Sequence, residues 1–489
     1  MTGATATSAG TSSQRSVQQC LYIGGSWCLP AVDEWVEVLN PATEERIGIV
    51  PAGSAADVDA AVVAARAAAL DWAATAPEER ARLVNALADE LERRQDEITD
   101  IVVAEVGTPR RVARWAQVGL GIVDLREAAA ASSQIAWEEP LRNSLIRREP
   151  VGVVGAITPW NYPLHQITAK IGAALVAGCP IVVKASEVAP LTAIALLEAA
   201  DSVGVPAGVL NLVHGYGPVV GEALAAHPGV DMISFTGSTG VGRRVLELAA
   251  QTVKGVSLEL GGKSASVLLD DLTGEGFERA VASTVRACYL NGGQSCNAQS
   301  RMLVPRSMLA DAEVVAAAAV ADYRLGDPSD AATKLGPMVT AAQRDRVLFY
   351  IRVGLEEGAR LVAGSAEPAA GFLKGFYVEP TVFSDVAPTA RIAQEEIFGP
   401  VLSIIPYDTE DEAIMIANGT NYGIAGAAWS ADQDRALSVA RRLRTAQVEV
   451  NGGKFNSAAP FGGYAQSGHG REGGVFGIAE FLEIKSMQL

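Results

Sequence analysis

The chain has 489 residues, 49% apolar and 19% charged, with a net charge of -17 at pH 7. That composition suits a folded globular protein of about three domains, at roughly 150 residues each, and is too apolar for a disordered chain. The acidic excess argues against a nucleic-acid partner, which calls for a basic face, and the lack of about 18 uninterrupted apolar residues argues against a membrane span.

The polar N-terminus reads as a disordered tail over residues 1–17, without the apolar core of a secretory signal. Cys20, Cys28, Cys179, Cys288 and Cys296 are too few and too scattered for a disulfide framework and point to the cytoplasm. Residues 57–74 predict an alanine-rich helix. Another opens at Pro77, with Glu78 and Glu79 favoured by the helix dipole. Leu83, Leu87 and Leu91 give it one apolar stripe, and Gly107 and Pro109 end it. After Pro150 short apolar runs alternate with helical patterns, as in "VGVVGAI", "PIVVKAS", "VDMISFTGS" and "GVSLELGG". Continuous apolar strands between helices predict a buried parallel sheet in a doubly wound α/β domain. A second such series follows Gly262, with "SASVLL", a helix near 275–290, "RMLVP" and "ARLVAGS". Residues 143–150 and the C-terminal "AEFLEIKSMQL" alternate like strands, and no internal repeat is visible.

Four stretches could carry chemistry. "SFTGSTGVGRRVLELAA" (234–250) follows a strand and opens a helix, and Gly237, Gly240 and Gly242 would let the backbone approach a phosphate. Its G-x-x-G-x-G spacing fits a plain tight turn equally well. Lys184 and Glu187 stand at a strand end, where they suit either a ribose or a solvated ion pair. Glu259, between leucines and before two glycines, could be a general base with a raised pKa, or a carboxylate facing water. Cys296 lies in "LNGGQSCNAQSR", among small and polar residues that suggest a flexible, wet loop. Such a cysteine is either incidental or a nucleophile whose thiol pKa is lowered by nearby dipoles. No C-x-x-C or H-E-x-x-H spacing suggests a metal.

Together these stretches resemble the aldehyde dehydrogenase family from about residue 20 to the end. The signatures stand in family order: "TPWNYPL" (158–164), "KASE" (184–187), "FTGSTGVG" (235–242), "LELGGKS" (258–264), "GGQSC" (292–296), "EEIFGP" (395–400) and "PFGGYAQSGHGRE" (460–472). The resemblance implies two doubly wound α/β domains and a small oligomerisation sheet. An NAD-binding domain would use 18–130 and 150–262, and a catalytic domain 263–450. Segments 131–149 and 475–489 would join subunits into a homodimer or homotetramer.

It also implies a nonmetal oxidoreductase that takes an aldehyde to its acid with NAD. Cys296 would be the nucleophile, and Asn161 with the Cys296 N–H would hold the oxyanion. Glu259 would activate water, with Lys170 and Glu483 as a proton relay behind it. Lys184 and Glu187 would bind the adenosine ribose, with Trp160 and Pro218 beside the adenine. Gly237 and Ser238 would meet the pyrophosphate, and Glu396, Phe398 and Gln343 the nicotinamide side, with Ile157 and Leu260 completing the cofactor site. The substrate tunnel would include Tyr162, His165, Gln166, Ser295, Asn297, Lys454, Phe455 and Phe461.

Two positions depart from the family pattern: Ala185 follows the cofactor lysine where proline is common, and Gly240 stands where glutamate is common. "NGGKFNSAAPFGG" differs more, and Lys454 in it suggests a polar or ω-carboxy aldehyde. Two other readings remain: a CoA-acylating relative, against which Glu259 argues, and a noncatalytic protein keeping the fold, against which Cys296, Glu259 and Asn161 argue.

Overall fold

The computed structural model describes residues 17–489, so the expected tail lies outside the described residues except for Val17. The two apolar series form two parallel sheets. In the first, Val154–Ile157 (β1), Ile181–Lys184 (β2), Leu210–Leu212 (β3), Met232–Thr236 (β4) and Gly255–Glu259 (β5) stand in the order β3-β2-β1-β4-β5. All neighbours in this set are parallel. Apart from Gly255 and Val256, every residue in these strands is buried, which explains their mostly apolar sequence. Antiparallel strands extend both edges: Leu21–Ile23 beside β3 and Gly468–His469 beside β5.

Strand order reverses between β1 and β4, and ligands of doubly wound sheets bind at the C-terminal ends there. Ile157 is level with Phe235, so "TPWNYPL" and "GSTGVG" leave the sheet side by side.

The second sheet holds Ala265–Leu268 (β6), Arg301–Pro305 (β7), Thr381–Ser384 (β8), Val401–Tyr407 (β9), Ala425–Trp429 (β10) and Gln447–Val450 (β11). Their order is β8-β9-β7-β6-β10-β11, all parallel, with Arg360–Ala363 antiparallel at the β8 edge. A separate antiparallel sheet joins Glu138–Leu141, Ser144–Pro150 and Leu482–Gln488.

The helix expected from Pro77 is two helices, Pro77–Arg93 and Gln95–Val106. Arg94 pins the seam, bonding Glu97, Glu198 and the Ala195 carbonyl. Two further helices bear on the site: Leu120–Ala131 (α1) and Pro163–Ala177 (α2). Gly121 lets them touch, since a Cβ there would stand 3.0 Å from Leu164 and 3.2 Å from the His165 nitrogen.

Candidate active site

The cysteine loop is tightly packed. Asn291, Gly292 and Gly293 take φ values of 53°, 66° and 72°, the left-handed region that suits asparagine and glycine. A Cβ on Gly293 would lie 2.1 Å from the Gly399 carbonyl oxygen. After the loop, Arg301 is buried and donates to the carbonyls of Lys263, Ile416 and Ala417, fixing the start of β7. The polar residues that suggested a wet loop turn inward. Asn291 donates to the Asn161 carbonyl at 2.8 Å and accepts from Thr108 at 2.7 Å. The Gln294 carbonyl oxygen of its side chain accepts from the Val339 N–H at 3.0 Å. Gln117, within a π-helical stretch Ala113–Gly119, donates to Thr108 and to the Asn161 carbonyl.

This network orients Asn161, which is 3% exposed. Its Nδ2 donates to the Gln294 carbonyl at 3.0 Å. Because that partner only accepts, the amide nitrogen must face it, and its second N–H stays available to an oxyanion.

Glu259 ends β5 and is 2% exposed, and neither carboxylate oxygen has a partner among the described residues. A Cβ on Gly462 would stand 2.9 Å from its Oε1. Burial, reinforced by the Glu472 charge, raises the Glu259 pKa well above the usual carboxylate range, against the pull of Lys170 and Arg471. That is the setting of a carboxylate made more basic by its surroundings.

Cys296 departs from expectation. Its thiol pKa is raised, by burial first and then by the Glu396 and Glu259 carboxylates, while its own N–H and that of Asn297 pull it down. The dipoles expected to activate it are present but outweighed, so the protein holds it as a neutral thiol. The "LGG" segment passes between these groups. A Cβ would lie 2.3 Å from Glu396 Oε2 at Gly261, and 2.3 Å from the Cys296 carbonyl oxygen at Gly262.

The relay expected from Lys170 and Glu483 is corrected. The buried Lys170 ammonium donates to Glu472 Oε1 at 2.6 Å. Glu483 lies exposed on the Leu482–Gln488 strand, opposite Glu149. Glu472 is placed by a two-way bridge to Phe461, with both N–H···O distances 2.8 Å.

The expected cofactor residues gather at the C-terminal ends of the first sheet. Lys184 Nζ pairs with Glu187 at 2.7 Å. Ile157 is buried at the end of β1, and the Leu260 N–H donates to Ser467. Ser238 caps the helix Thr239–Ala249 through the Val241 N–H. Pro218 is exposed just beyond β3. Trp160 and Phe398 meet edge to face, their centroids 5.5 Å apart, so they share one end of a dinucleotide site and the expectation of Trp160 beside the adenine, away from Phe398, is corrected. Gln343 donates to the Phe398 carbonyl at 2.7 Å, steadying a residue at φ 63°, and Glu396 accepts the Gly262 N–H at 2.9 Å.

Of the expected tunnel residues, Tyr162 and Ser295 share a 2.6 Å hydrogen bond, and the His165 ring lies 6.2 Å from the Tyr162 ring. Gln166 is buried, with Oε1 unpartnered among the described residues. Phe461 is partly buried beside Glu472, whereas Asn297, Lys454 and Phe455 are exposed. Sequence reading missed Gln117, Asp124, Asn291 and Glu472. Glu472, the last residue of "PFGGYAQSGHGRE", and Asn291, within "LNGGQSCNAQSR", had a local signal.

The sequence model of the aldehyde dehydrogenase family matches residues 27–487. A 3-succinoylsemialdehyde-pyridine dehydrogenase from a Pseudomonas species is 47% identical over 467 residues, covering 95% of this chain and 97% of its own. A mutant of aldehyde dehydrogenase C from Pseudomonas syringae, complexed with NAD+ and octanal, gives a TM-score of 0.95 at 46% identity, covering 96% of this chain and 97% of its own. An aldehyde dehydrogenase from Mycobacterium tuberculosis complexed with NAD+ gives 0.93 at 43% identity, covering 96% and 98%.

Proposed function

The chain belongs to the aldehyde dehydrogenase family, and from that premise we propose that it oxidises an aldehyde to the carboxylic acid with NAD through a covalent Cys296 intermediate. The observation that carries the reading is the grouping of a neutral thiol at Cys296, an Asn161 amide with one free N–H, and an unpartnered, raised-pKa carboxylate at Glu259.

The chain's own groups divide the work. Glu259 takes the Cys296 proton, and its raised pKa brings it closer to that of the raised thiol. The sulfur attacks the aldehyde carbon, and the oxyanion meets the Asn161 amide and the Cys296 N–H. Oxidation leaves a thioester on Cys296. Lys170 with Glu472 first carries the thiol proton onward from Glu259; Glu259, again a carboxylate, then deprotonates the water that cleaves the thioester, and that proton leaves by the same pair.

NAD supplies the hydride acceptor. The residues present fit it: the Lys184–Glu187 pair suits a ribose diol, the Trp160–Phe398 wall suits a flat ring, and the helix start at Ser238 suits a pyrophosphate. The first sheet serves NAD (18–130 and 150–262), the second catalysis (263–450), and 131–149 with 475–489 joins copies of the chain into a dimer or tetramer in the cytoplasm. Glu259 favours hydrolysis over transfer to CoA. The test is absorbance of NADH with an aldehyde panel, with and without CoA. Formation of NADH and acid without CoA supports the reading, and a strict need for CoA overturns it.

A further inference from the structure

One ion pair near the nucleophile has no part in the chemistry above. Close packing at Gly121 brings Asp124, one turn further along α1, against α2. Its Oδ2 accepts from His165 Nδ1 at 2.6 Å and from the Thr168 hydroxyl at 3.1 Å. The carboxylate is 12% exposed and the imidazole 23%. A carboxylate can only accept, so Nδ1 carries a hydrogen, and Nε2 has no hydrogen-bond partner among the described residues. The same ring stands edge-on to Tyr162, whose hydroxyl meets Ser295 next to Cys296.

We propose that His165 and Asp124 form a subsite reading a hydrogen-bond acceptor, a carboxylate or ketone oxygen, on the part of the aldehyde remote from the reacting carbon. The inference rests on the aldehyde oxidation proposed above. It moves polar recognition from the exposed Lys454 to a built pair.

The groups facing His165 are Asp124 on α1, Thr168, Lys170 and Tyr162 on or beside α2, and Glu472. Burial opposes the imidazolium and so does Lys170, but Asp124 and then Glu472 outweigh them and raise its pKa above the ordinary value. When protonated, the imidazole presents Nε2–H as a donor. Above the raised pKa, Nε2 becomes an acceptor and repels an acceptor-bearing substrate. The pair is also oriented without help from the ligand, so little ordering cost falls on binding.

The experiment compares kcat/KM for three matched arms of equal chain length: alkyl, ω-carboxy and keto aldehydes, in the parent, His165→Leu and Asp124→Asn. The parent should favour the acceptor-bearing arms by tenfold or more. His165→Leu should erase that ratio, chiefly through KM. Asp124→Asn should move the alkaline fall in kcat/KM for those arms to lower pH. Preference for the carboxy arm alone identifies an anion, and preference for both arms identifies a general acceptor. If the parent oxidises all three arms alike, or His165→Leu keeps the ratio, the subsite is wrong while the dehydrogenase reading stands. If no arm yields NADH in the parent, the dehydrogenase reading itself fails, and the subsite proposal with it.

Discussion

Lys170 and Glu472 form a 2.6 Å ion pair behind Glu259, with the Lys170 side chain 1% exposed. Burial raises the Glu259 pKa most, and the pair tunes it further: Glu472 raises it and Lys170 lowers it. Glu472→Gln removes the raising charge and leaves the lysine charge unopposed. The acid limb of the kcat profile should therefore move to lower pH, with kcat down about tenfold if proton removal limits turnover. Glu483→Gln should leave that limb in place. Stopped-flow and steady-state kinetics between pH 5 and 9 check both, and the reverse pattern would restore Glu483 to the relay.

The pH dependence of the parent has a definite sign. Glu259 works as a carboxylate and its pKa is raised, so kcat/KM should climb with pH through a value above the ordinary carboxylate range of about 4.3. Activity already full at the ordinary value would contradict the desolvated base.

Cofactor choice follows from the Lys184–Glu187 pair at 2.7 Å. A 2′-phosphate would meet the Glu187 charge at close range, costing on the order of 1–3 kcal/mol, roughly ten- to hundredfold in affinity. NAD should therefore be preferred, and Glu187→Ser should narrow the gap because Lys184 is freed to pair with phosphate. Isothermal titration with both cofactors decides it; equal affinity in the parent defeats the assignment.

Asn161→Ala removes the oxyanion donor and one support of the cysteine loop. A fall in kcat of about 10²–10³ is expected, with NAD affinity little changed. A kcat within a few-fold of the parent would move the oxyanion donor elsewhere.

The fold was largely legible because the central strands of both parallel sheets are buried on their two faces, so they stand out as mostly apolar runs. The hairpin Trp35–Leu39 with Arg46–Pro51 was passed over: only Val36 and Val38 in its first strand are buried, a short alternation beside longer helical patterns. At the site, ordered motifs singled out Cys296, Glu259 and Asn161 but said nothing of their environments. Small polar neighbours suggested a wet loop around Cys296, whereas Asn291 and Gln294 spend their amides inward. Glu472 reaches Lys170 from 302 positions away, and Asp124 reaches His165 from 41, so no local spacing announces either pair.

The most direct test of the covalent account is Glu259→Gln mixed rapidly with NAD and aldehyde, then quenched for intact-mass analysis. The account predicts one slow turnover, slow because the thiol has lost its base: NADH approaching one per Cys296, an added acyl mass on that cysteine, and then a stall; Cys296→Ala gives neither NADH nor adduct. Steady turnover of Glu259→Gln at the parent rate, or NADH formed without Cys296, would contradict it.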